Sequence, residues 1–219
     1  MERTESTENH GNPDLGCSYH VHDYDDSDRS VYWYIAIHAY SAGGGSERKP
    51  LCNLSSAWQG TSAKLHEDDR LYDVGDTIFI GSTPLGNSSL SLYLREYHDN
   101  ALSMYPAIGN VKEGRLPEEA IEIALSEDAL QYLGLDAVIG DTVSLDLSVS
   151  VMDGSLSELE YSADFVLTGI LESSYIGYAS GTVEGIVGEG TAEELLPEEY
   201  LLYSTDFKTY DKQNFQSII

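Results

Sequence analysis

The chain is short of positive charge. Eleven Lys and Arg stand against 38 Asp and Glu among 219 residues, a formal net charge of −27. From Leu116 to Ile219 the basic side chains are Lys208 and Lys212 alone. Phosphate backbones are gripped by clustered Lys and Arg, so nucleic acid is excluded as a partner. The same repulsion argues against anionic lipid headgroups. The acid excess reads first as the solubility of a surface domain, and second as cation binding. Cysteine is scarce as well: Cys17 and Cys52 are too few for a disulfide framework, and neither sits in a C-x-x-C. A single bridge between them and two buried thiols both fit. The longest apolar run, Val31 to Ile37, has seven residues. A membrane-spanning helix needs about 20. The polar start at Met1-Glu-Arg-Thr-Glu shows no secretory leader. Together with the stop at Phe215-Gln-Ser-Ile-Ile219, it predicts a soluble piece of a larger protein.

What is present is enough apolar residue for a core, 41% of the chain, together with 16 Tyr. Tyr tolerates a half-buried ring with a wet hydroxyl, which suits sheets and binding surfaces. Residues 1–16 are polar and read as a loose lead-in. Strands are expected at Ser18–His22, Val31–Tyr40 (where a short helix also fits), Ala57–Leu65, Ser88–Tyr97, Ile121–Leu125, within Tyr175–Val187, and at Leu201–Lys208. Asp23–Asp28 reads as an acidic turn and Ser41–Pro50 as a loop. Asn110–Pro117 reads as a turn region, and Gly75-Asp76 as a turn that leads into a strand.

The stretch after Ile121 can be argued residue by residue. Ser126 is a helix N-cap, with Glu127 and Asp128 in the first turn where the helix dipole favours acids. Gly134 closes that helix as the C′ residue. From Thr142 to Met152, Val143, Leu145, Leu147, Val149 and Val151 fall at every second position, a half-buried antiparallel strand. Asp153-Gly154 turns the chain, and Glu158–Leu171 returns as its partner. Thr191-Ala-Glu-Glu194 matches a capping box and opens a helix that stops near Pro197. Asp211 onward reads as the first turns of another helix. Val74-Gly-Asp-Thr-Ile is echoed by Ile139-Gly-Asp-Thr-Val, which alone does not establish a repeat.

Reactive constellations fare poorly. His20 and His22 share a strand face, while His10, His38, His66 and His98 are scattered, so no zinc spacing arises. Asp23, Asp25, Asp26 and Asp28 fail the EF-hand pattern: Asp28 stands where Gly is needed and Tyr34 where the bidentate Glu belongs. No G-x-S-x-G elbow occurs, and Gly43-Gly-Gly-Ser-Glu-Arg-Lys lacks the order of a phosphate-binding loop. With 38 acids, no carboxylate pair stands out for glycoside hydrolysis. Trp33, Trp58 and the tyrosines suit either sugar stacking or a core. No catalytic, cofactor-binding or metal-ligating residue is therefore singled out.

Five segments occur in order: Gly114-Arg-Leu-Pro117, Glu122-Ile-Ala-Leu-Ser126, Leu133-Gly134, Ile139-Gly-Asp-Thr-Val143 and Phe165-Val-Leu-Thr-Gly-Ile170. Tyr178-Ala-Ser-Gly181 and the two elements after it follow suit. This order resembles the MacB-like periplasmic core domain of FtsX-family ABC-transporter permeases over roughly 110–219. Gly16-Cys-Ser-Tyr-His-Val21 is similar to that family's opening strand, but the helix expected after it has no counterpart here. The resemblance implies an α+β fold, mostly antiparallel sheet with few short helices. It implies two lobes: a porter-like one from 17–115 and 191–219, and a β-rich insert at 116–190. It implies a non-catalytic domain without cofactors on the extracytoplasmic face of the cell membrane, moved by ATP hydrolysis in the cytoplasm. The partners implied are the chain's own transmembrane helices, a cytoplasmic ATPase subunit, a second permease copy and an extracytoplasmic partner protein. The competing expectations are a secreted or cell-surface binding module, carbohydrate being one candidate ligand, and a small acidic hydrolase.

Overall fold

A computed structural model describes residues 18–23, 31–38, 51–57, 59–105, 108–152, 156–173 and 181–209. The expectations for the lead-in with Cys17 and His10, the body of the acidic turn, the 41–50 loop, Trp58, Asp153-Gly154, Tyr178-Ala-Ser and 211–219 lie outside these residues. The fold is mixed and sheet-dominated, in keeping with α+β. Eight of the ten strand pairings given for the described residues are antiparallel. The described residues fall into two compact units, one within 1–76 and 202–219, the other 77–201.

The first unit holds β1 (Ser18–Asp23), β2 (Val31–His38), β3 (Leu51–Ala57), helix α1 (Gln59–His66), the start of β4 (Leu71–Pro84) and β11 (Tyr203–Thr209). Its strands run in the order β1-β2-β3-β11-β4. Two expectations are corrected here. The segment expected as strand Ala57–Leu65 is mostly helix α1. Gly60, Thr61 and Ser62 hide it from propensity, but Ser62 and Leu65, three apart, form its buried face. The turn expected at Gly75-Asp76 is absent: β4 runs through both residues, and the left-handed residue is Asp73, with φ 48°.

The second unit holds the rest of β4, β5 (Ser91–Tyr97), α2 (Ala101–Met104), β6 (Val111–Gly114), β7 (Glu122–Ser126), α3 (Glu127–Leu133), β8 (Thr142–Met152), β9 (Leu156–Leu171), β10 (Thr182–Val187), α4 (Thr191–Leu195) and a 3-10 turn (Glu198–Tyr200). Strands β4-β5-β10-β7-β9-β8 form a ring, closed where β8 returns to β4 at Ser82↔Ser148. One pattern occurs twice. Hairpin β4–β5 is followed around the ring by β10, parallel to β5, and hairpin β9–β8 by β7, parallel to β9. β10 leads to α4 and β7 to α3. The two Gly-Asp-Thr echoes sit at the first strands of the two hairpins, although Gly140 has φ 97° and Gly75 is extended within β4. Strand β6 lies against β9 beyond the end of β8, where a turn region was expected. It is four residues long, irregular and charged, which blunts a sheet edge.

Alternation builds the core. Val143, Leu145, Leu147 and Val149 are buried and Ser144, Asp146 and Ser150 are exposed, as the sequence pattern requires. Leu92 and Leu94 on β5 and Leu125 on β7 fill the space beside Gly185 of β10. A second cluster, Ala124, Leu171 and Ile186, is covered by Tyr97, Leu102, Ile108, Val111 and Leu116.

Helix α3 is capped as expected: Ser126 accepts from the Ala129 N–H at 3.2 Å, and Gly134 takes the left-handed position with φ 72°. The capping box at Thr191 is corrected by one residue. Gly190 is the N-cap, and Thr191 instead donates to the Gly188 carbonyl and accepts from the Ile121 N–H at 2.9 Å.

The ordered segments meet in space. Arg115 N–H donates to the Thr168 carbonyl at 3.0 Å, and a Cβ on Gly169 would overlap the Arg115 carbonyl. Gly169→Ala is therefore expected to destabilise by about 3 kcal/mol or more. Ser126→Ala should cost about 1 kcal/mol. Urea unfolding of the two variants checks the order; equal costs would contradict the close crossing.

Candidate functional site

Each unit presents buried or partly buried acids, and their partners define what they can do. In the first unit Asp76 is buried at the centre of three donors. Ser62 Oγ donates to its Oδ2 at 2.6 Å, Thr205 Oγ1 to its Oδ1 at 2.6 Å, and His66 Nε2 lies 3.0 Å from Oδ2. Helix α1 brings Ser62 and His66 to one face, four residues apart. The set contains Ser, His and Asp, but the hydroxyl is bonded to the carboxylate and not to the imidazole. This is not the hydroxyl–imidazole–carboxylate order of a catalytic triad, and the cluster ties α1, β4 and β11 together. His66, scattered in the sequence, is thereby given a place. Nearby, Lys208 Nζ bonds Asp73 at 2.9 Å.

In the second unit Glu96 is 1% exposed. Its carboxylate accepts from the Gly190 N–H at 2.9 Å and the Ala192 N–H at 2.6 Å, so it caps α4 from across the sheet. His98 Nε2 lies 2.7 Å from the same carboxylate and Nδ1 lies 3.5 Å from Glu189. Arg95 Nε bonds Glu184 at 2.9 Å and its guanidinium lies 6.0 Å from the Phe79 ring centre. Burial pushes the Glu184 carboxyl up, and the Arg95 charge offsets this only in part. Among the described residues no group of three or more His, Cys, Asp and Glu could hold a metal ion.

The remaining feature is a cleft. At the closure of the ring, β4 carries an irregularity between Phe79 and Gly81. Tyr161 of β9 donates its hydroxyl to the Ile80 carbonyl there at 2.6 Å. Burial raises the Tyr161 phenol well above its ordinary value, so it stays a neutral donor. A Cβ at Gly81 would lie 3.1 Å from the Ser148 carbonyl and 3.4 Å from the Tyr161 hydroxyl. Beside this pinch is a depression of about 560 Å³, lined by Ser82, Thr83, Pro84, Asp146, Leu147, Ser148, Glu160, Tyr161 and Ser162. Hairpin β8–β9 presents Asp146 beside Ser162 and Ser148 beside Glu160. Ser162 Oγ donates to Asp146 at 2.5 Å. The lining is mostly hydroxyls and carboxylates, with Pro84 and Leu147 among them, and Ser162 with Asp146 is its bonded hydroxyl–carboxylate pair. It suits a ligand that brings hydrogen-bond donors or positive charge.

No candidate site residue was expected from the sequence, and no motif marks this cleft. Its only sequence trace is the polar half of the β8 alternation. No family model, curated protein or solved structure matches the chain.

One ion pair gives a pH test. Arg115 grips both Glu122 oxygens, at 2.5 and 2.8 Å, and the Glu118 and Glu119 N–H groups add to the hold. The bond from Arg115 does most to lower the Glu122 carboxyl, from 4.5 to about 2. A lowered folded-state value means stability that is present above pH 4.5 and is lost as pH falls toward 2. Glu122→Gln should therefore be less stable than the parent at pH 7, with the gap closing by pH 2–3. A gap independent of pH in urea unfolding would contradict this.

Proposed function

We propose that the chain is the extracytoplasmic, non-catalytic domain of an FtsX-family ABC-transporter permease, which transmits motion or binds substrate or a partner outside the membrane. One observation carries the proposal. The ordered segments that resemble the family are fixed points of this fold: Ser126 and Gly134 bound α3, and the Gly114-Arg115 and Thr168-Gly169 backbones cross. Two buried acids serve the framework, Asp76 as a knot and Glu96 as a helix cap. In this reading the chain has a porter-like lobe, 17–115 with 191–219, and a β-rich inserted lobe, 116–190. A compact stretch between two flanking segments of one unit supports an insertion as such, although it runs over 77–201, wider than 116–190, and takes in β5. The partners are the permease's own membrane helices, a cytoplasmic ATPase, a second permease copy and an extracytoplasmic protein. ATP hydrolysis would reach this domain as a hinge-type displacement.

A second reading, a secreted or cell-surface binding module with a sugar among its ligands, is favoured by the hydroxyl-rich cleft. The parent gene separates the two. The permease reading expects an apolar span of about 20 residues on each side of the sequence. It also expects co-purification of the full-length protein with an ATPase from solubilised membranes. A secretory leader followed by this domain and a stop codon would overturn it in favour of the second reading.

A further inference from the structure

His98 stands just past the end of β5, and its ring lies between two carboxylates of different elements. Nε2 is 2.7 Å from Glu96 and Nδ1 is 3.5 Å from Glu189. Nε2 is shut off from solvent, whereas the Glu189 side chain is 71% exposed. The His98 side chain as a whole keeps 23% of its surface in water, so protons can reach it. What Glu96 holds makes this position matter. Its carboxylate caps α4 through the Gly190 and Ala192 N–H groups. The turn before α4 is tight: Gly188 N–H donates to the Glu122 carbonyl at 3.0 Å, and a Cβ on Gly188 would overlap the Glu119 carbonyl. Helix α4 and the 3-10 turn are the last elements of their unit before the chain passes to β11 in the other. His98 thus sits at the root of a connecting segment.

Charge decides which form of the ring belongs there. Two carboxylates favour an imidazolium over a neutral imidazole. The neighbouring elements add acids: Asp99 next in the chain, Glu119 on the turn against Gly188, and Glu193 and Glu194 in the first turn of α4. The cations of these strands and turns are committed, Arg95 to Glu184 and Arg115 to Glu122. Two backbone amides and His98 are left to balance the buried Glu96 charge. A proton held more tightly in the folded state than in the unfolded chain gives stability that is fully present below the ordinary histidine value of about 6.5. That stability is lost as pH rises through the folded-state value. Losing the proton removes the attraction to both carboxylates at once.

We propose that His98 is a proton-operated latch: charged, it ties Glu96 to Glu189 and fixes the β10–α4 turn; neutral, it lets that turn and α4 open locally. The latch tightens in acid and loosens as pH rises above about 6.5. It stands independently of the permease reading: a secreted module could carry it equally.

The test follows the 219-residue chain by imidazole nitrogen shifts and by hydrogen exchange of the Gly190 and Ala192 amides, corrected for the intrinsic pH dependence of exchange. His98 should titrate with a midpoint about one unit or more above 6.5. One unit is a factor of ten, so protection of the two amides should fall about tenfold between about pH 5.5 and about pH 9. His98→Gln should leave protection low and flat across that range. Glu189→Gln, at an exposed position, should lower the His98 midpoint and shrink the fall. His66→Gln, in the first unit, should leave the profile as in the parent. A His98 midpoint at or below about 6.5 would overturn the proposal. So would amide protection that does not change with pH, or a His98→Gln variant that keeps the parent's fall.

Discussion

A ring of strands has no free ends to its ladder only if the last strand finds the first. In the second unit that encounter rests on the Tyr161 hydroxyl bonded to the Ile80 carbonyl, next to a glycine at 81 that lets the backbones approach. The tyrosine does two jobs. It satisfies a carbonyl that the β4 irregularity takes out of register, and it holds the β8–β9 hairpin against β4. Any side chain at 81 would press on the Ser148 backbone. The closure is thus narrow, a bridge and a side-chain bond, while the neighbouring ladders run for many residues. A narrow closure also explains why a cleft lies beside it.

The acid excess is not a matter of surface carboxylates alone, and two of the buried ones are fully engaged. Asp76 accepts from two hydroxyls and lies against an imidazole, and Glu96 receives two backbone amides. A carboxylate removed from water without donors would cost several kcal/mol. Each of these instead replaces its lost hydration with fixed hydrogen bonds, and each links elements far apart in sequence.

Local patterns carried far in this chain. Ser126, Glu127, Asp128 and Gly134 each sit where capping chemistry puts them. The β8 alternation is borne out from Val143 to Val149, and the hairpin pairs Thr142 with Val166 through Met152 with Leu156. What was not legible depended on distant partners. The α4 cap comes from Glu96, more than ninety residues earlier, so a capping box read from Thr191 and Glu194 alone was off by one. Gly75-Asp76 has the composition of a turn, but Ser62 and Thr205 hold Asp76 within a strand. Helix α1 has weak helix formers and is recognisable only once its Ser62–Leu65 face is seen to be buried. The cleft escaped altogether, because no sequence pattern announces that Pro84 and Asp146 will line one depression.

The place of β10 has a consequence for how the polypeptide reaches this state. It lies between β5 and β7, both of which precede it in the chain. During synthesis, everything from β4 through β9 emerges before the strand that joins β5 to β7 exists. Until residues 182–187 are delivered, the nascent molecule is a broken circle with two raw margins, and Leu92, Leu94 and Leu125 lack the backbone they pack on. Assembly must wait for the C-terminal fifth of the sequence, and the acid-rich composition would keep the waiting intermediate from clumping.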